Sequence, residues 1–294
     1  MKWDGHTHTE FCPHGSGDMA EAMVRRAIEL GFTRYSITEH APLPGQLSCL
    51  LPKGQKDVMQ TSNILEKDVD AYIKEVLRLK EAYKDQIQIF AGFEVDYIEG
   101  TEAWYREFFK EYGPWLDDGV LSVHYIKKDG FLHPLDSDRD YVVQQLIPSA
   151  GGFGPYCQAY YQTVLDSIHA DLGPYGPRRI GHMSLCRKYR LAEELAPMEP
   201  VPAAADTDAS ALGFDVICLE AIHTRGYALD FNTAGLSKPL CRQFYPGEAL
   251  VRRALQMHIP LVYGSDSHGV EDVGRNYQVF ESARDMEDET HEKN

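Results

Sequence analysis

The stretch Lys2-Trp3-Asp4-Gly5-His6-Thr7-His8 decides how this chain is read. Lys2–Gly5 has the look of a short strand, and it runs straight into two histidines one residue apart. Side chains on extended backbone alternate with period two, so His6 and His8 point to the same side. Asp266-Ser267-His268, near the other end of the sequence, repeats that geometry with one carboxylate and one imidazole. Imidazole and carboxylate are the usual protein ligands of zinc, manganese and iron.

Working outward, the same event recurs. Apolar, β-branched runs predict strands at Lys2–Gly5, Arg34–Thr38, Gln86–Phe93, Gly119–Val123, Arg178–Gly181, Phe214–Leu219 and Ile259–Gly264. His6 and His8 follow the first, His40 the second, Glu94 the third, His124 the fourth and His182 the fifth. Asp266 and His268 follow the seventh. Helices are expected between them. One starts at Asp18, where Asp18 and Glu21 have capping-box spacing, and Gly31 ends it. Others are expected at about Glu66–Lys84, Glu102–Tyr112, Tyr156–Ala170 and Glu248–Met257. Alternating β and α units imply a parallel sheet with helical crossovers. In a parallel barrel the strand ends share one face, so residues far apart in sequence would converge there.

Each candidate taken singly has a plainer reading. A lone His124 or His182 is more often a hydrogen-bonded core or surface residue, and Glu94 alone would serve as a cap or salt-bridge partner. The joint pattern argues otherwise, because burying polar groups at strand ends without compensation is costly. A multinuclear metal site accounts for all of them together.

The bulk numbers set bounds. A chain of 294 residues, 43% hydrophobic and 25% charged, fits one α/β barrel over 1–294. No apolar run is long enough for a transmembrane helix. The opening residues leave no room for a signal peptide, and the six scattered cysteines lack a Cys-x-x-Cys pair, so a cytoplasmic setting with free thiols is expected. Cys12 lies inside the first histidine cluster, where a ligand role is open to it, but as one thiol beside better-spaced histidines it reads more as a bystander. A formal net charge of −16 argues against nucleic acid and anionic membrane as partners. Part of that charge sits in an acidic tail, 281–294, expected to fray. Pro42–Gly54, Asp129–Asp140, Ser149–Gly154 and Ala196–Ser210 read as loops.

The motifs Asp4-Gly5-His6-Thr7-His8-Thr9, Thr38-Glu39-His40, Gly92-Phe93-Glu94-Val95-Asp96 and Gly264-Ser265-Asp266-Ser267-His268 resemble the PHP (polymerase and histidinol phosphatase) superfamily. Phe11-Cys12-Pro13-His14-Gly15, Arg179-Ile180-Gly181-His182-Met183-Ser184-Leu185 and Asn232-Thr233-Ala234-Gly235-Leu236 are similar, within it, to the histidinol-phosphate phosphatases. The resemblance covers Met1 to about Phe280. It implies a distorted (β/α)7 barrel and three divalent ions, zinc, manganese or iron. One ion would take His6, His8, Glu94 and Asp266. A second would share Glu94 and add His124 and His182, and a third would take His14, His40 and His268.

The implied reaction is hydrolysis of L-histidinol phosphate, a small phosphorylated substrate, by a metal-bridging hydroxide, with Glu94, Asp266 and His268 at the reacting centre. No Gly-x-Ser-x-Gly elbow or Walker-type loop competes with that mechanism. Arg187, five residues after His182, is the leading cation for the phosphate; Arg178, Arg179, Lys188 and Arg190 around it read mainly as a solvated patch. The family motif has a basic residue where this chain has Ser237, which leaves Lys238, Arg225 and Arg242 to compete for a second cation. Glu220, read as ending strand six near His223, is a candidate for orienting a ligand or binding the substrate amine. Asp96 and Tyr97 are candidate pocket-lining residues. The alternatives are a related phosphoesterase acting on nucleotides or other small phosphomonoesters, and a non-catalytic metal-binding module.

Overall fold

Residues with polar side chains inside a barrel must still satisfy the backbone, and a parallel sheet with helical crossovers does so while aligning every strand end. The computed structural model describes residues 1–55, 58–195 and 213–291, with 285–291 described by backbone only. Seven strands form one parallel sheet: β1 (Trp3–Asp4), β2 (Arg34–His40), β3 (Gln88–Asp96), β4 (Asp118–Ser122), β7 (Arg179–Ile180), β8 (Ala228–Asn232) and β9 (Leu261–Gly264), in the order β1-β2-β3-β4-β7-β8-β9. The two edges meet. Gly5 N–H donates to the Tyr263 carbonyl, Asp266 N–H to His6 and His8 N–H to Ser267, each at 2.8 Å. The sheet thus closes nearly into a barrel, with His6-Thr7-His8 and Asp266-Ser267-His268 side by side on its rim.

Helices cover the outside. On β2 and β3, Tyr35, Ile37, Ala91 and Phe93 face outward into a core shared with Tyr72, Ile73, Val76 and Leu79 of helix Val69–Ala82. Each of the Ile, Val, Leu and Phe side chains among them, taken fully from water, contributes about 1.5–3 kcal/mol. Alternation then turns Ser36, Thr38 and His40 of β2 into the barrel, so the inner face is polar while the outer one is apolar.

Six of the seven expected strands are present, and one is misplaced. Phe214–Arg225 is a helix, with Asp215, Cys218, Leu219 and Ile222 buried at helical spacing and Gly226 at φ +64° ending it. The sixth strand is Ala228–Asn232, where Leu229 and Phe231 alternate with Asp230 and Asn232. A short apolar run suits strand or helix equally, and here the period beyond Leu219 decides. Glu220 and His223 therefore sit exposed on a helix, away from any strand end. The capping box at Asp18 is also absent: helix Ala20–Glu29 starts two residues later, Glu10 accepts from Ala20 N–H at 2.6 Å, and Asp18 accepts from Val270 N–H at 2.9 Å. Tertiary partners take both side chains.

Two expected loops are ordered. Tyr125–Lys128 (β5) and Phe131–Pro134 (β6) make an antiparallel hairpin through Asp129-Gly130, both at positive φ, the geometry that twists a two-residue turn correctly. Gly45–Leu50 is a 3-10 helix. Leu47, Leu51 and Met59 pack with Ile98, Tyr125 and Leu132 into a second, smaller core beside the strand ends. Helix Tyr277–His291 carries the acidic tail as far as His291; 292–294 and the expected loop Ala196–Ser210 lie outside the described residues.

Candidate metal centre

Register brings the first pair together. His40 is the β2 partner of Glu94 on β3, and His40 Nδ1 lies 3.0 Å from Glu94 Oε2. His6 Nε2 and His8 Nε2 approach the same oxygen at 3.3 and 3.4 Å. The other oxygen, Oε1, faces the opposite half of the site: His182 Nε2 at 2.9 Å, Ser122 Oγ at 2.6 Å and His124 Nε2 at 3.8 Å. Glu94, buried at the centre, thus divides the histidines into two groups, one per oxygen. Asp266 Oδ1 closes the first group at 3.3 Å from His8 Nε2 and 3.9 Å from His6 Nε2. The His14, His40 and His268 rings form a third group, with His14 4.7 Å from His268 and 5.3 Å from His40 by ring centres.

Carboxylates outside this ring fix the imidazoles. His6 Nδ1 meets Asp230 Oδ2 at 2.8 Å, His8 Nδ1 meets Glu39 Oε1 at 3.3 Å, and His124 Nδ1 bonds to Asp96 Oδ1. Glu39 is held in turn by the Thr9 amide and hydroxyl at 3.1 and 2.7 Å. A hydrogen bond to Nδ1 leaves the Nε2 lone pair aimed into the centre. Gly264 allows this: a Cβ there would come within 2.9 Å of His6 Cβ and collide with Asp230.

The buried donor atoms test whether metal fits. His6 Nε2, His8 Nε2, His40 Nε2, His182 Nδ1 and His268 Nε2 are all buried without a hydrogen-bond partner. Such atoms are expensive unless a ligand uses them. Three sets of ligand atoms lie within 4.8 Å of one another: His6, His8 and Asp266; His40, Glu94 and His124; and His8, Cys12, His40 and His268. The donor set is nitrogen and carboxylate with one sulfur, which suits divalent transition ions.

The charges agree. Burial works against ionising Glu94, yet the His6, His40 and His124 imidazoles hold its carboxyl well below the usual range. Burial disfavours the charged form of His8, but Asp266, Glu39 and Glu94 outweigh it and raise the imidazole to about 9. Burial and the nearby His8 push His268 down to about 3. The centre attracts positive charge at one end and leaves neutral imidazoles at the other.

A cavity of about 460 Å³ opens over these groups, lined by His14, His40, Glu94, His124, Asp266 and His268 on the strand-end side. The hairpin's Tyr125 and Pro134 form part of its wall, and Asp96, Asp136, Lys188, Lys238 and Arg275 bring charge to it. Arg187 does not line the cavity. It ends the 3-10 turn Leu185–Arg187, and the next residue, Lys188, faces inward and pairs with Asp136. Of the competing cations, Lys238 lines the cavity. Arg242 is exposed and does not line it, and Arg225 ends helix Phe214–Arg225 at the opposite end of the barrel, donating to the His169 carbonyl at 3.2 Å. Arg179 is buried inside the barrel instead of solvated. Asp96 backs His124, and Tyr97 donates to Glu102 at 3.3 Å without lining the cavity. Asp230, Glu39, Lys188 and Arg275 escape a reading of strand ends. Arg275 donates to the carbonyls of Ser265 and Asp266 at 2.7 Å each, and so holds Asp266 at its φ of +52°.

The PHP domain family model matches residues 4–234. The histidinol-phosphatase of Bacillus subtilis (strain 168) is 37% identical over 280 residues, 95% of this chain and 98% of that protein. The crystal structure of a candidate histidinol phosphatase from Listeria monocytogenes superposes with a TM-score of 0.84 at 41% identity, covering 95% of this chain and 100% of the other. A histidinol phosphate phosphatase from Lactococcus lactis, solved with zinc, L-histidinol and phosphate, shares the fold at a TM-score of 0.68 and 18% identity, over 96% of this chain and 93% of that one. With the ordered motifs, the nearly closed seven-stranded sheet and the converging histidines, these likenesses mean that the chain belongs to the PHP domain family and, within it, to the histidinol-phosphatases.

Proposed function

We propose that this chain is a metal-dependent phosphatase that hydrolyses L-histidinol phosphate to L-histidinol and phosphate, a step of histidine biosynthesis. The observation that carries the reading is Glu94, with imidazoles gathered on each of its two oxygens and five buried imidazole nitrogens around it left without a hydrogen bond. The 37% identity to the Bacillus subtilis enzyme supports the substrate. His6, His8, Glu94 and Asp266 would hold one divalent ion, Glu94, His124 and His182 a second, and His14, His40 and His268 a third, whether zinc, manganese or iron. When bound, such ions supply a nucleophile from water near neutral pH and positive charge for the phosphoryl oxygens.

The chain's own residues do the rest. Glu39, Asp230 and Asp96 set which imidazole nitrogen carries the proton, so the ligand nitrogens stay deprotonated. Lys238 and Lys188 line the same cavity and bind the phosphate oxygens that face away from the cluster. Asp136, beside Lys188, gives the substrate's ammonium an anionic partner. The hairpin β5–β6 narrows the mouth and limits water around the substrate. A volume of about 460 Å³ suits a small phosphomonoester. No helix among the described residues is long and apolar enough to cross a membrane, and the described cysteines are free thiols, so we read the setting as cytoplasmic.

The test is phosphate release from L-histidinol phosphate against a panel of nucleotides and sugar phosphates, with manganese or zinc. A preference of several orders of magnitude in kcat/KM for histidinol phosphate is expected. Preference for a nucleotide would keep the metal centre and replace the substrate.

A further inference from the structure

Cys12 is 4% exposed and sits in the turn between His8 and His14. Backbone bonds from Cys12 N–H to the Thr9 carbonyl (3.0 Å) and from Gly15 N–H to the Cys12 carbonyl (3.1 Å) fix that turn. Its sulfur lies 3.4 and 3.7 Å from the two ring nitrogens of His14. It also falls within 4.8 Å of ligand nitrogens on His8, His40 and His268, of which His8 and His40 are almost fully buried. Nε2 of all three histidines lacks a hydrogen-bond partner. A thiol buried in a core of apolar side chains needs no such neighbours; this one is surrounded by unsatisfied imidazoles.

We infer that Cys12 is a thiolate ligand of the third ion, completing with His14, His40 and His268 a set of three nitrogens and one sulfur. The inference rests on the metal-centre reading above. In a tetrahedral zinc site, bond lengths of about 2.3 Å to sulfur and about 2.1 Å to nitrogen put ligand sulfur and nitrogen about 3.6 Å apart. His14 Nδ1 meets the Thr61 carbonyl at 3.2 Å, so Nε2 is the nitrogen left to ligate, and its 3.7 Å from the sulfur is close to that value. His8 does not join the set, because its Nδ1 faces Glu39 and its Nε2 faces Asp266 and Glu94 in the neighbouring group.

Ligation replaces the S–H bond by a sulfur–metal bond and releases one proton to solvent, with no change of oxidation state. The softer thiolate makes this position select zinc or cobalt over manganese or magnesium, while the carboxylate-bearing positions remain less discriminating.

The experiment is cobalt(II) titration of the metal-stripped full chain, followed by absorption. Visible d–d bands report cobalt bound anywhere in the cluster, and a near-ultraviolet thiolate-to-cobalt charge-transfer band reports sulfur ligation. Both are expected, with Cys12→Ser losing the charge-transfer band and one equivalent of tightly held ion, and Cys49→Ser, at an exposed thiol, losing neither. Should Cys12→Ser fail to fold, alkylation of the wild-type chain decides: Cys12 is protected when metal is bound and modified after chelation. Visible bands without a charge-transfer band, a band that survives Cys12→Ser, or equal alkylation in both states would overturn the assignment and leave the metal centre standing. Absence of all cobalt bands would overturn the metal centre itself.

Discussion

The two ends of the barrel bury charge in opposite ways. At the end where the strands begin, Arg179 meets Asp118 at 2.9 Å, Asp118 accepts from Ser36 Oγ at 2.6 Å, and Trp3 Nε1 donates to that serine at 2.9 Å. The guanidinium also lies over the Trp3 ring, 5.4 Å from its centre. One cation answers one anion, and the protein supplies both. Where the strands finish, Glu94, Asp266, Asp230, Glu39 and Asp96 gather around imidazoles, several of whose nitrogens are unbonded. The first arrangement is balanced in charge as folded. The second needs cations from outside, and that difference separates a structural plug from a site.

The largest expected effect lies at the upper end. Glu94→Gln keeps the shape but loses the charge shared by both histidine groups. Phosphate release should nearly vanish, with metal per chain falling for at least two ions; full metal content at full rate would remove Glu94 from the centre. The lower end should fail differently. Arg179→Met leaves Asp118, whose side chain is 14% exposed, without its partner, and denaturant unfolding should register a loss of about 3 kcal/mol, the low end for a buried pair. Metal per folded chain and kcat should hold. If metal were lost instead, the two ends would not be independent.

A finer cut tests the outer carboxylates. Asp230→Ala frees His6 Nδ1, so metal affinity should drop by about 10–100-fold in a chelator competition, with Asp230→Asn recovering part of it. Protons should compete with metal in the same place. Because its carboxylate neighbours hold His8 protonated up to about 9 in the metal-free chain, binding must displace that proton. Affinity therefore rises with pH, by roughly tenfold per unit for each proton released, and levels off as pH passes about 9. A flat profile from pH 6 to 9 would contradict the proton's role as stand-in for the cation. Smallest of all, Lys238→Met should raise KM for the phosphomonoester with little change in metal content, and unchanged kinetics would return Lys238 to the rim.

How much of this was legible in the sequence follows from the same contrast. Ligand types standing at strand ends are visible because period-two alternation and strand length are local properties. His6, His8, His40, Glu94, His124, His182, Asp266 and His268 could therefore be aligned on one rim before any fold was known. Asp230 is hidden because Phe214–Leu219 reads as the sixth strand, a run whose helical period shows only on continuing to Ile222 and Gly226. Glu39 and Asp96 were in quoted motifs, but their work depends on which ring nitrogen they meet, a fact of three-dimensional pairing. Lys188, which follows the three-residue 3-10 turn Leu185–Arg187, lines the cavity, and which residue of such a turn faces inward is a rotation that sequence spacing cannot resolve. The Asp129-Gly130 turn is a strong local signal, since two residues tolerant of positive φ between apolar runs favour a hairpin.

The central claim is that the upper end of the barrel is completed by cations. It is tested most directly by anomalous diffraction from crystals of the active, metal-loaded chain. The account predicts anomalous density between the Glu94 oxygens and the two groups of imidazoles, and a further peak within the His14, His40 and His268 rings. Fully active crystals with no anomalous density among these residues, or with ions bound only elsewhere on the molecule, would contradict it.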